Sequence, residues 1–332
     1  MPAAPQHGRM QSLDLEANRP AGHAATPRHG QGLMLAGGLL LGTLGVFLEE
    51  AGQPPLTAVW FRCAFGALAL LAWAAWRGQL DALRLAPRAL AAAGLAGVLM
   101  VLNWGLFFAA IERCSIGVAT VVFHVQPLWV MGLAALLLGE RVSRRQGGAA
   151  LLALLGLGLA SGLASGLASG PGLAGLDRGY MLGLLLCLGG SLSYAGVTLI
   201  AQAVPGLNPL ALAWWQCLVG ALLLAAWPLS QGWPAWGAAW GWLAGLGVLH
   251  TGLAYVLLYG GMARLPAAQV ALLQFVYPGA AVLVDWAVYG RALDALQLAG
   301  VLLMGLALLA LRQPGQPGRP RSQAGRKPST ER

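Results

Sequence analysis

Apolar runs bounded by charges, proline or glycine recur from Gly32 to the neighbourhood of Leu311, with only short breaks between them. A bilayer-spanning helix needs roughly 20 such residues. Ten runs are candidates: 32–50, 56–76, 88–111, 115–139, 146–164, 180–201, 207–228, 236–260, 266–289 and 295–312. The pattern predicts an all-α integral membrane protein of ten transmembrane helices, numbered here 1 to 10 in chain order. Residues 1–31 and 313–332, polar and proline-containing, read as disordered cytoplasmic tails.

The breaks have a sidedness. Lys and Arg accumulate in the short cytoplasmic loops of membrane proteins. With the amino terminus inside, 16 of the 20 basic residues fall on the cytoplasmic side: Arg9, Arg19, Arg28, Arg77, Arg84, Arg88, Arg141, Arg144, Arg145, Arg264, Arg312, Arg319, Arg321, Arg326, Lys327 and Arg332. The other side holds Arg113, Arg178 and Arg291, and Arg62 lies inside helix 2. This segregation agrees with ten helices and with both termini in the cytoplasm, in a multi-pass protein of the cell (inner) membrane.

The chain also matches itself at a spacing of about 150 residues. The segment Trp60-Phe-Arg-Cys-Ala-Phe-Gly-Ala-Leu-Ala-Leu-Leu-Ala-Trp73 aligns with Trp214-Trp-Gln-Cys-Leu-Val-Gly-Ala-Leu-Leu-Leu-Ala-Ala-Trp227, and eight of the fourteen positions are identical. Similar offsets pair Gly45-Val46 with Gly196-Val197, Gly97-Val98-Leu99 with Gly247-Val248-Leu249, Pro127 with Pro278, Gly139 with Gly290 and Gln146 with Gln297. Two five-helix halves, 32–164 and 180–312, follow. An odd number of helices per half inverts the second half in the membrane, and a 5+5 inverted repeat is a transporter architecture. Residues 165–179 form a linker, preceded and entered by Gly-Leu-Ala-Ser repeated from Gly158 to Ser169. Its Ser161, Ser165 and Ser169 are interchangeable products of that repeat with no histidine placed as a base, so no catalytic residue is assigned.

Composition narrows the classes further. Hydrophobic residues make up 58% of the chain, charged residues 9%, and the mean hydropathy is +0.68, whereas a soluble protein carries about 25% charged residues. The net charge of +9 sits at helix ends and in the tails, not on a folded face, which argues against nucleic acid as a partner. Cys63, Cys114, Cys187 and Cys217 show neither metal spacing nor a disulfide framework and read as small packing residues, and no metal or cofactor is implied. The first 30 residues lack the n-region and cleavage site of a signal peptide. Thirteen tryptophans, several at helix ends such as Trp227, Trp233 and Trp236, suit an interfacial belt, and Gly38/Gly42 and Gly241/Gly245 suit close helix packing.

Polar residues inside a span cost free energy, about 2.5 to 3.5 kcal/mol for a charge at the helix centre, so each needs a partner or a task. Arg62 lies about six residues into helix 2, level with Glu49 and Glu50 at the end of helix 1, and an ion pair is expected. It is read either as a clamp or as a gate or substrate contact. His124, Gln126 and Pro127 sit mid-way along helix 4, where proline removes a backbone donor and loosens the preceding turn. Helix 9 repeats this with Gln274, Tyr277 and Pro278, and Asp285 extends the same face toward the outer end as an interfacial or gate residue. Helix 8 adds His250, Thr251 and Tyr255, and helix 3 adds Asn103 and Trp104. His124 and His250 are the ionisable groups near mid-depth, so coupling to protons would run through them.

Taken together, Arg62, Pro127 followed by Leu-Leu-Leu-Gly-Glu140-Arg141, the Gln146-Gly-Gly opening of helix 5, and His250-Thr-Gly-Leu-Ala-Tyr255 leading to Arg264-Leu-Pro266 and Tyr277-Pro278 form a pattern. Over residues 32–312 the chain resembles the drug/metabolite transporter superfamily, EamA type, with two five-helix repeats. Gly290-Arg291 stands where that repeat carries Gly-Glu, and Gln216 replaces the helix 2 arginine. The resemblance implies a central cavity lined by helices 1, 3, 4 and their counterparts, and small metabolites such as amino acids, often exported. Helices 1 and 6 lack the midplane carboxylate that single-repeat multidrug relatives use for proton-coupled cation exchange.

The expected function is therefore secondary transport of a small solute by alternating access, with Asn103, Trp104, His124, Gln126, His250, Thr251, Tyr255, Gln274 and Tyr277 as solute contacts. A membrane-embedded enzyme acting on a lipid-linked substrate is a second reading, which would want clustered carboxylates or a metal set. A non-transporting sensor or scaffold is a third.

Overall fold

The structure, a computed structural model, describes residues 27–114, 116–161 and 178–309. The two tails and the Gly-Leu-Ala-Ser linker beyond Ser161 lie outside the described residues. Among these residues, eight helical segments are long and apolar enough to cross a membrane. They are α1 (Arg28–Ala51), α2 (Pro55–Trp76), α3 (Pro87–Ile111), α4 (Val118–Leu137), α6 (Arg178–Ala203), α7 (Pro209–Gln231), α8 (Ala238–Met262) and α9 (Ala267–Tyr289). Two shorter helices complete the halves, α5 (Arg144–Ala160) with 17 residues and α10 (Ala295–Leu309) with 15. The protein is an all-α, multi-pass membrane protein.

Local chemistry sets the boundaries. Proline opens α2, α3 and α7 at Pro55, Pro87 and Pro209, where its missing N–H would have had no partner anyway. Ser143 and Gln146 cap the start of α5 reciprocally, and Asn208 Oδ1 accepts the Ala211 N–H at the start of α7. Gly52 and Gly290, at φ +58° and +63°, close α1 and α9 in the left-handed conformation. The helix α1 begins about one turn before the apolar pattern does, because one side of its first turn, at Gly30 and Gln31, is packed while Arg28 and His29 stay exposed. Gln31 Nε2 donates to Gln269 Oε1 at 3.4 Å, and a Cβ on Gly30 would meet Arg264 Cβ and the Leu265 side chain at 3.0 Å.

Interior breaks recur at the proline positions. The helix of α4 is interrupted at His124 and Val125 ahead of Pro127, and that of α9 at Gln274 and Phe275 ahead of Pro278. Each proline removes the donor to the carbonyl four residues earlier. A third break lies in α1 at Thr43, and α8 widens into a π-helical turn over Val248–Leu253.

The packing is exchanged between halves. The helix α3 lies along α6, and its repeat counterpart α8 lies along α1. Likewise α4 packs on α6 as α9 packs on α1, and α2 on α8 as α7 on α3, while α2/α7, α4/α9 and α5/α10 pair with each other. These contacts are unchanged when the two halves swap labels, as an internal two-fold requires. Small residues permit the close crossings. A Cβ on Gly38 would meet Val276 at 3.0 Å and one on Gly42 would meet Ala280 Cβ at 2.5 Å, both on α9, and Gly245 lies against the Phe47 ring. Gly241, expected to pack in the same way, faces open space. Another small-residue crossing, Gly156 on α5 against Gly300 on α10, brings backbone to backbone. Leucines such as Leu136, 81% exposed, face outward where lipid would lie.

Candidate functional site

Arg62 is the deepest charge among the described residues, 7% exposed on α2. Its Nε donates to Thr251 Oγ1 at 2.6 Å and its Nη2 to Tyr255 Oη at 3.0 Å, both on α8. The guanidinium carbon lies 5.3 Å from the Trp104 ring centroid and 5.5 Å from that of Tyr255, within cation–π range. The wide turn of α8 makes this possible. Thr251 donates its own hydroxyl proton back to the Leu246 carbonyl at 3.1 Å, which leaves its oxygen lone pairs for Arg62.

The expected ion pair between Arg62 and Glu49 or Glu50 is not formed. Those carboxylates sit at the exposed end of α1, whereas the Arg62 side chain points into the core toward α8. Arg291, just past α9, takes the acids instead: its Nη2 donates to Glu49 Oε1 at 2.9 Å and its Nη1 to Asp285 Oδ1 at 2.6 Å. Tyr289 donates to Glu50 Oε1 at 3.2 Å. Glu49 and Asp285 are thus brought together, and Arg62 stands apart from both.

His250, beside Thr251, reaches across to the break in α1. Its Nε2 is 2.8 Å from Thr43 Oγ1, which also lies 2.8 Å from the Leu40 carbonyl, and its Nδ1 is 3.4 Å from the Gly245 carbonyl. Phe47 packs on the same imidazole at 4.5 Å between centroids.

The proline breaks face each other as the repeat predicts. A cavity of about 260 Å³ lies between α4, α5 and α9, lined by Thr120, His124, Leu157, Ser161, Tyr277, Pro278, Ala281 and Val282. His124 donates through Nδ1 to the Thr120 carbonyl at 2.7 Å, which leaves its Nε2 lone pair available, and its ring lies 6.0 Å from that of Tyr277. Gln126 and Gln274 converge on one hydroxyl: their Nε2 atoms donate to Thr198 Oγ1 at 3.4 and 3.3 Å, and Thr198 donates to the Tyr194 carbonyl at 3.1 Å. Gln274 Oε1 is buried with no hydrogen-bond partner among the described residues. Asn103 is placed differently, its amide nitrogen donating to the Gly190 carbonyl at 3.0 Å, where it fastens α3 to α6.

Helix α6 supplies a face that the sequence reading passed over. Ser191, which accepts the Trp129 indole N–H at 3.1 Å, recurs with Tyr194 and Thr198 at spacings of three and four. That spacing was a signal available in the sequence. Tyr194 stacks on Phe123, next to His124 of the cavity wall.

The profile of the EamA-like transporter family matches this chain twice, over residues 28–162 and 181–312. The chain belongs to that family. Its two matches are the two halves whose packing exchanges around the proline breaks. Among similar proteins, one named uncharacterized transporter YxxF of Bacillus subtilis (strain 168) is 26% identical over 288 residues, 84% of this chain and 88% of that protein. An uncharacterized transporter of Archaeoglobus fulgidus is 28% identical over 289 residues, 86% and 97% of the two chains. Protein RarD of Streptomyces exfoliatus is 30% identical over 243 residues, 70% of each. A crystal structure superposes with a TM-score of 0.73 at 20% identity, covering 85% of this chain and 97% of that one, a likeness of fold. As a family member the chain is a membrane transporter, with a small solute and the lipid bilayer as its partners.

Proposed function

We propose that this transporter is a secondary exporter of a small metabolite such as an amino acid, working by alternating access of two inverted repeats. The observation that carries the reading is the pair of helix breaks at repeat-equivalent prolines, Pro127 and Pro278, with a cavity of about 260 Å³ beside them. Backbone freed from a helix at membrane depth is tolerated only against protein or a water-filled path. A gap between two related halves, with a few polar groups on a mostly apolar wall, suits a solute held at mid-depth and released to either side as the halves rock. The exchanged packing supports such rocking, because both halves share the same interfaces.

In this reading His124, Gln126, Gln274 and Tyr277 meet the solute from one side and Trp104, His250, Thr251 and Tyr255 from the other. Asn103 holds α3 in place. Glu49, Glu50 and Asp285, with Arg291, form a gate at the exposed end of α1 and α9. The arginine bias of the loops supports a place in the cell membrane with both termini cytoplasmic. The two histidines make the proton the first coupling ion to examine.

The experiment is flux through the purified full-length protein in liposomes loaded with a metabolite extract, with and without a pH gradient, read by mass spectrometry. At least one metabolite is expected to move, and both His124→Ala and His250→Ala to slow it or flatten its pH dependence. Unchanged rate, affinity and pH dependence in both variants would refute the site. Export predicts that the same metabolite accumulates in the medium of an overexpressing strain.

A further inference from the structure

Arg62 is a buried cation without an anion. Its two hydrogen-bond partners, Thr251 and Tyr255, are neutral hydroxyls, and among the described residues no carboxylate lies within ion-pair distance of it. Glu49 and Asp285 are committed to Arg291, and Glu140 Oε2 accepts the Ala267 N–H at 2.9 Å. Neutral oxygens and ring faces orient a guanidinium but leave its charge uncompensated, the costly case for a buried ion. The fold itself does not demand the charge. At the repeat-equivalent position Gln216 is equally buried, and its neutral amide accepts from Tyr259 and donates to the Ala96 carbonyl at 3.4 Å.

The Nη1 edge of Arg62 has no hydrogen-bond partner among the described residues. A planar guanidinium held by two neutral groups and flanked by Trp104 presents a fork suited to a carboxylate, which would supply the missing negative charge.

We propose that Arg62 binds the carboxylate of the transported solute, so that the substrates are small carboxylate-bearing metabolites with the rest of the molecule against Trp104. This rests on the transport reading above.

The test uses the full-length protein and a panel of small monocarboxylates, dicarboxylates and α-amino acids, each beside its primary amide. Binding is read as a rise in unfolding temperature in detergent, and flux by counterflow in liposomes. One or more acids are expected to bind, with the matching amide about tenfold weaker or worse. Arg62→Gln should lose about tenfold or more of acid affinity, and Arg62→Lys, a point charge without the fork, should retain part of it. Equal binding of acid and amide, no binding by any acid in the panel, or wild-type acid affinity in Arg62→Gln would overturn the assignment. If Arg62→Gln does not fold, the acid–amide comparison on the unaltered protein decides alone. Flux of a neutral solute with none of these effects leaves transport standing and removes Arg62 from the site, whereas absence of any flux removes the transport reading itself.

Discussion

Replacing Gly156 by alanine isolates one backbone-to-backbone contact between the halves. A Cβ there would stand 2.7 Å from the Gly300 carbonyl oxygen and 2.9 Å from Met304 N, and both obstacles are backbone, so no rotamer change relieves them. The helices α5 and α10 must move apart, and overpacking of this kind costs about 1–3 kcal/mol. Alanine also gains about 0.5–1 kcal/mol over glycine within a helix, so the net loss is on the order of 0.5–2 kcal/mol. Gly158, two residues further along α5, is the internal control: nothing lies within 4 Å of a Cβ there, and Gly158→Ala carries the helix gain alone. Thermal unfolding of both variants in the same detergent, followed by loss of helical circular dichroism, should place Gly156→Ala below the unaltered protein and Gly158→Ala at or above it. Equal midpoints for the two variants would refute the crossing, since only the backbone contact distinguishes them.

Thr198→Val removes the one hydroxyl that accepts both Gln126 and Gln274, leaving the buried Gln126 amide and the half-buried Gln274 amide without it, at a cost of about 1–3 kcal/mol. The variant should unfold several degrees lower while Thr198→Ser stays near the unaltered midpoint. Arg291→Gln breaks two pairs whose side chains are 41 to 53% exposed, and after solvent screening each is worth about 0.2–1 kcal/mol, so stability should hardly change. If these pairs tie the exposed end shut, a cysteine introduced nearby should nevertheless be labelled faster in that variant, and an unchanged labelling rate counts against a gate there.

The apolar runs and the two proline breaks were legible in the sequence because both follow from local physics: run length against bilayer thickness, and the donor that proline lacks. The partners of Arg62 were not. Level position across a hairpin brought Glu49 and Glu50 to mind, but which face of α2 carries Arg62 depends on α8, nearly 190 residues away, and on the widened turn that turns Thr251 toward it. Asn103 was legible as a buried polar residue and not as a fastener of α6, since its acceptor is a backbone carbonyl that any sequence would supply. Thr198 and Tyr194 were hidden for the opposite reason. Hydroxyls in a span can bond their own backbone and so raise no alarm, although their spacing with Ser191 marks an inward face.

Glu140 and Arg291 occupy corresponding ends of the two repeats, and they fasten their ends by bonds of different kinds. Glu140 accepts a backbone N–H at the start of α9, a half-buried bond to a neutral donor. Arg291 holds two carboxylates in an exposed cluster, which added salt screens. Duplication alone would give both ends the same fastening. With glutamate at one end and arginine at the other, the end held by paired opposite charges is the one whose fastening weakens more as ionic strength rises.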